Sequence, residues 1–254
     1  MDADARVLIL GATGRTGGRV LTQLLDRGVP VRAIVRAAAR LPAASVDNLL
    51  LEVVEADVLA LPPEALAEHI AGCDTVISCL GHTISVRGIL GPPRDLVRQA
   101  VGLVREAVRA RQHEQTAAGQ PAAPARLILM SSVSVNQPGR ADARRGASEL
   151  AYMWGMRALV PPARDNQRAA DFLVHEVGPA DAHLEWVIVR PDTLAEGALA
   201  EYRVHETLVS SLFKPDRTRM SQVAHFMCEL ATDDSTWQRW RSRMPVVVDA
   251  QLSD

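Results

Sequence analysis

The segment RVLILGATGRTGGRVLT, residues 6–22, holds the residue pattern with the most chemical content. Gly11, Gly14 and Gly17 recur at every third position, with Thr13, Arg15 and Thr16 between them. Glycines so spaced allow a tight turn and let the backbone approach a phosphate closely. A helix beginning there supplies free N–H groups and the positive end of its dipole. The apolar run Val7 to Leu10 reads as a strand buried on both faces, and Val20, Leu21, Leu24 and Leu25 form the buried face of the following helix. Strand, glycine loop and helix in that order fit a dinucleotide pyrophosphate better than an ordinary strand-to-helix turn.

A second strand, Val29 to Val35, follows the helix stop at Gly28 and runs directly into Arg36, with Arg40 four residues on. A site for NAD usually carries an acidic residue here for the ribose 2′-hydroxyl. Guanidinium groups suit a 2′-phosphate instead, so NADP(H) is the expected cofactor, against the plainer reading of two solvated arginines. Ser131 and Ser132 follow the fifth strand, Leu127 to Met130, at the edge where open parallel sheets bind ligands. His82 follows the fourth strand, Thr75 to Leu80, and could contact substrate or serve as a turn residue. Tyr152 and Trp154 could stack on a flat acceptor or anchor their loop on the core. Asp192 could cap a turn or touch a ribose.

The elements that must position these groups alternate between strand and helix. A third strand spans Leu49 to Glu55, helices are expected over Pro62 to Ala71 and Asp165 to Val177, and a long one begins near Leu96. His113 to Ala125 reads as a surface connection, and Gln137 to Pro162 as a long loop walling the substrate cleft. Leu184 to Val189 is the sixth strand, Ser221 the expected cap of a C-terminal helix, and Val246 to Val248 a further strand. The pattern is that of an α/β chain, one Rossmann-like doubly wound parallel sheet over residues 1–254, with the cofactor half ending near residue 135 and the substrate side following.

Composition narrows the alternatives. A chain of 254 residues, 48% hydrophobic, can bury a single substantial core. A net charge of -2 with the two signs mixed gives no footprint for nucleic acid. The longest apolar runs are strand-sized and the first residues lack signal-peptide character, so a cytoplasmic protein without a membrane anchor is expected. The 3 cysteines, Cys73, Cys79 and Cys228, are too scattered for a disulfide framework or a zinc site, and no metal site is expected. A monomer or homodimer fits these limits.

GATGRTGG, Val35-Arg36 with Arg40 following, Ala56-Asp57-Val58, Leu80-Gly81, Ser131-Ser132 and Ile188-Val189-Arg190-Pro191 together resemble the NAD(P)H-binding, NmrA-like atypical short-chain dehydrogenases. Within them the chain is most similar to the flavin reductase group of the biliverdin-IX-beta reductase type. The resemblance implies that Asp57 and Val58 meet the adenine edge, that Leu80, Gly81 and His82 border the ribose and nicotinamide phosphate, and that Ser131, Arg190 and Pro191 complete the cofactor site. It maps the family's serine onto Ser132, the catalytic candidate, and a histidine of some members onto Thr193. Tyr152 and Trp154 fall on the substrate side.

The usual Tyr-x-x-x-Lys relay, in which a lysine eases proton loss by the tyrosine, has no counterpart. Met156 stands four residues after Tyr152 and Glu206 four after Tyr202. Aligning Ala169-Ala170-Asp171 puts Ala163 and Gln167 at the tyrosine and lysine positions. The flavin reductase group shares this lack, which implies hydride transfer from NADPH to a flat acceptor such as a flavin or quinone. Dinucleotide sensors resembling the fungal nitrogen-metabolite repressor lack the pair too, which leaves a regulatory binding protein as the alternative. A nucleotide-sugar epimerase fits less well, because it ordinarily wants the tyrosine and an acidic residue in place of Arg36.

Overall fold

A computed structural model describes residues 6–82, 91–137 and 145–250. Residues 83–90 and, within the expected cleft loop, residues 138–144 lie outside the described residues. The strands are β1 Arg6–Leu10, β2 Val31–Val35, β3 Leu51–Glu55, β4 Cys73–Ser78, β5 Ala125–Met130, β6 Leu184–Pro191, β7 Thr193–Ala195, β8 Tyr202–His205, β9 Arg217–Arg219 and β10 Val246–Asp249. Eight form one sheet in the order β3-β2-β1-β4-β5-β6-β10-β8, and β7 pairs with β9 separately. Only β8 runs antiparallel in the large sheet, against β10. The order reverses between β1 and β4, which opens a crevice beyond their C-terminal ends.

Leu8, Leu10, Val76, Leu127 and Leu129 point into one core and Val7, Ile9, Ile77 and Ile128 into another, the alternation of strands buried on both faces. Helices α2 Pro63–Ile70, α3 Leu96–Ala117 and α5 Pro161–Asp171 cover the first face. Helices α1 Arg15–Asp26, α6 Met220–Thr232 and α7 Asp234–Trp240 cover the second. Helix α4, Ala147–Leu159, precedes α5, and a π-helical turn, Phe172–Val177, prolongs α5.

Four expectations are corrected. The presumed surface connection after His113 is helical as far as Ala117, because buried Gln112 ties α3 to Ala123 O at 2.8 Å and His183 O at 3.1 Å. The presumed loop before Pro162 contains α4, held by buried Glu149, which accepts from Ser211 Oγ at 2.6 Å and Leu212 N at 2.7 Å. Ser221 lies inside α6 and donates to Gly197 O at 2.8 Å, while Arg219 is the cap, its N–H bonded to Gln222 Oε1 at 2.8 Å. Strands β7, β8 and β9 were not foreseen; they are three or four residues long, too short to show a period.

The packing of α1 on the sheet rests on missing side chains. A Cβ on Gly17 would stand 2.2 Å from Gly11 O, and one on Gly11, at φ +86°, 2.8 Å from Cys79 O. Gly81 meets nothing within 4 Å. Gly17→Ala is therefore expected to cost roughly 1–3 kcal/mol, as overpacking does, in urea unfolding. Gly81→Ala should stay within about 0.5 kcal/mol of the parent. Equal effects would show that the contact at Gly17 does not constrain the fold.

Candidate functional site

At the C-terminal end of β1 the chain turns through Gly11, with Gly14 N donating to Gly11 O at 3.0 Å and Gly18 N to Gly14 O at 2.8 Å. Helix α1 starts at Arg15 without a capping side chain and without an acidic residue in its first turn. Its first N–H groups are thus available to an anion. Thr16 is buried beneath the loop, while Thr13 is half-buried and Arg15 exposed. Arg15 holds Glu196 through Nε at 3.2 Å and Nη2 at 2.8 Å, and Arg19 pairs with the same carboxylate. The hydrogen bond from Arg15 lowers the Glu196 carboxyl below its ordinary range. Glu196 comes from just beyond β7, a contact that sequence reasoning missed.

Arg36 leaves β2 at the same edge, and Arg40 ends a short 3₁₀ turn, Ala38–Arg40, that is fixed by Ala38 N donating to Glu55 Oε2 at 3.1 Å. Both arginines are exposed and have no ion-pair partner among the described residues. Asp57 is exposed and caps the next turn by accepting from Leu59 N at 3.0 Å. Val58 sends its side chain into the core at 6% exposure, so only its backbone can meet a ligand. Leu80 packs half-buried on the core, and Gly81 is exposed beside it.

His82 is not a solvated turn residue. Its side chain is 6% exposed, and Nε2 lies 2.8 Å from Oδ2 of Asp165 on α5, which is fully buried. Asp165 also accepts from Val97 N at 2.8 Å and Arg98 N at 2.9 Å, and so serves the open N-terminus of α3 from another helix. Nothing in the local sequence marks Asp165, which stands 83 positions from His82.

Just past β5, Ser131 continues the alternation of Leu127 and Leu129, its N–H bonded to Val189 O at 2.8 Å; its hydroxyl is buried with no partner among the described residues. Ser132 is half-buried, and its Oγ accepts from Ser134 N at 3.2 Å. Gln167, at the lysine position of the relay, binds Asn136 N at 2.8 Å and Asn136 O at 3.1 Å, which ties α5 to the chain leaving β5. The remaining candidates stand elsewhere. Arg190 is fully buried and donates to Met244 O at 2.9 Å and Val135 O at 3.2 Å, so it braces strand ends instead of facing the crevice. Pro191 is buried in β6 against β10. Thr193 N donates to Asp192 at 2.7 Å; Asp192 also accepts from Ser210 Oγ and Asp216 N, making it a turn anchor. Tyr152 and Trp154, on α4, are 51% and 76% exposed, so neither anchors to the core; Tyr152 meets Phe213, edge to face at 5.8 Å.

A cavity of about 410 Å³ lies at the opposite edge, near the strand N-termini, lined by Arg6, Arg111, Arg126 and Asp234 among others. Its charged groups are taken up, Arg126 by Asp234, Arg111 by Ile70 O and Arg6 by Glu52, and the crevice above the glycine loop remains the candidate site. No cluster of metal-ligating side chains occurs among the described residues, and none of their helices is long and apolar enough to cross a membrane.

The family described as NAD(P)H-binding matches residues 11–234, from the first glycine of the loop through α6. The chain belongs to the NAD(P)H-binding family. Solved structures share this fold: an oxidoreductase from Lactococcus lactis, 17% identical, superposes with a TM-score of 0.66 over 96% of this chain and 90% of its own. A candidate NADH-flavin reductase from Streptococcus pneumoniae, 15% identical, does so with 0.64 over 96% and 99%. An uncharacterized chloroplastic protein of Arabidopsis thaliana is 39% identical over 74 residues, which is 29% of this chain and 26% of that protein.

Cys73, Cys79 and Cys228 are free thiols that do not act as nucleophiles. Burial pushes the thiols of Cys79 and Cys228 up to about 12 and that of Cys73 to about 11. A thiol so raised stays protonated at neutral pH. Iodoacetamide at pH 8 should therefore leave buried Cys73 and Cys228 unmodified in the native protein and alkylate both in urea, as peptide mass spectrometry reads. Rapid native labelling would contradict the burial.

Proposed function

We propose that the protein is an NADPH-dependent reductase that transfers hydride to a flat conjugated acceptor such as a flavin or quinone. The observation that carries the cofactor choice is the exposed pair Arg36 and Arg40, unpaired among the described residues at the end of β2. Family membership supports a nicotinamide cofactor of either kind; the arginines favour the 2′-phosphate form. The bound nicotinamide would supply the hydride. Gly11, Gly14 and Gly17 would let the pyrophosphate sit on α1, with Thr13, Arg15 and Thr16 around it. Arg15 and Arg19 would exchange Glu196 for cofactor phosphate. Asp57 and the Val58 backbone would border the adenine, and Leu80, Gly81 and the serines the nicotinamide half. The S. pneumoniae structure supports the acceptor class only through shared fold.

A regulatory sensor is the second reading, favoured by Ala163 and by Gln167, which is occupied with Asn136 where a relay lysine would stand. Titration with NADPH and NADH, followed by cofactor oxidation with flavins and quinones, separates the two readings. NADPH-selective binding with turnover supports the reductase; tight binding without turnover supports the sensor.

Removing both guanidinium groups in Arg36→Ala/Arg40→Ala should weaken NADPH by roughly 1.5–3 kcal/mol per lost charge-assisted contact while leaving NADH nearly unchanged. Equal loss for both cofactors would refute the 2′-phosphate assignment. Ser132→Ala should lower hydride transfer with cofactor affinity retained; unchanged turnover would make Ser132 structural.

A further inference from the structure

We infer that His82, oriented by Asp165, is the proton donor of the site, a role that rests on the reductase reading. Hydride addition leaves an acceptor one proton short, and neither tyrosine of the chain has a lysine to activate it. The dyad stands where that proton is needed. His82 is two residues past Leu80, whose backbone N lies 3.0 Å from where a Cβ on Gly11 would be, so it follows directly on the strand end that abuts the glycine loop. It is also on the face covered by α3 and α5, where its ring meets Asp165 and where Leu80 packs; Ser131, whose buried hydroxyl has no partner among the described residues, follows β5 in the alternation of Leu127 and Leu129 on that face.

The Asp165 carboxylate fixes the ring. With two backbone donors from α3 already seated, it accepts the Nε2 proton of His82. Nδ1 is left as the exchanging nitrogen, with no partner among the described residues. A carboxylate holding one imidazole nitrogen so that the other handles protons is a general acid–base arrangement. The balance is simple. The acceptor takes a hydride, two electrons and one proton, from NADPH and becomes an anion. The Nδ1–H bond of the imidazolium breaks, the acceptor anion takes that proton, and neutral His82 regains one from solvent. The net reaction is NADPH + H⁺ + acceptor giving NADP⁺ + reduced acceptor.

The same helix that lacks tyrosine and lysine carries Asp165, two positions before Gln167. Thus α5 retains its place beside the crevice with a different polar partner. Asp165 is a positioning residue, since its oxygens are taken by His82 and α3 and it touches no reacting atom.

The test uses the full chain, NADPH and a quinone that the parent protein reduces. His82→Gln, whose amide can still donate to Asp165, and His82→Ala should each lower kcat by about 10²–10³-fold with the NADPH dissociation constant unchanged. Added imidazole should restore part of the kcat of His82→Ala and leave His82→Gln as it was. Asp165→Asn should lower kcat less, with the same affinity. If His82→Ala does not fold, His82→Gln alone decides. Unchanged kcat in His82→Gln, or no imidazole rescue in a folded His82→Ala, overturns the inference while the reductase reading stands. A parent protein that binds NADPH and reduces no acceptor overturns both.

Discussion

The close approach of α1 to the C-terminal end of β1 is the constraint on which the rest of the structure depends. Gly17 lies against the carbonyl of Gly11, which in turn lies against Cys79 at the end of β4, so three segments meet with no room for one Cβ among them. That contact places the N-terminus of α1 over the point where the strand order reverses. It also aims the uncapped N–H groups of α1 into the crevice. Every residue offered to a dinucleotide is arranged around that point, from Arg36 at the end of β2 to Ser131 at the end of β5.

Charge is distributed to match. The crevice side of the first three strands carries Arg15, Arg19, Arg36 and Arg40, of which Arg15 and Arg19 share Glu196 and the other two are unpaired among the described residues. A helix dipole and several guanidinium groups on one edge make an anion site in a chain whose net charge is only -2. The Glu196 contact spans 181 positions and joins the substrate-side strands to the phosphate loop. Under the proposed function, cofactor phosphates would draw on the same arginines that hold Glu196.

The second half of the chain builds its site from buried polar anchors. Asp165 holds α3 and His82, Gln167 holds the backbone of Asn136, Glu149 holds residues 211 and 212, and Asp192 holds residues 210 and 216. Each makes several hydrogen bonds at once, the condition under which a polar group can be buried without large cost. Arg190 belongs with them: the family resemblance implied a cofactor contact for it, and its burial against Met244 O and Val135 O makes it a brace.

The sequence alone determined the α/β class, the strand, glycine loop and helix at the N-terminus, the arginines after the second strand and the serines after the fifth. These follow from periodicity and from residues whose conformational limits act within a few positions, as glycine spacing does at Gly11, Gly14 and Gly17. Tertiary structure alone decided that His82 faces Asp165, that Glu196 reaches Arg15, that Val58 and Arg190 turn inward, and that Tyr152 and Trp154 lie exposed on a helix. The pairings join residues 83 and 181 positions apart, brought together only by the strand order of the sheet. No local propensity encodes such a meeting, because its energy exists only once both segments are packed.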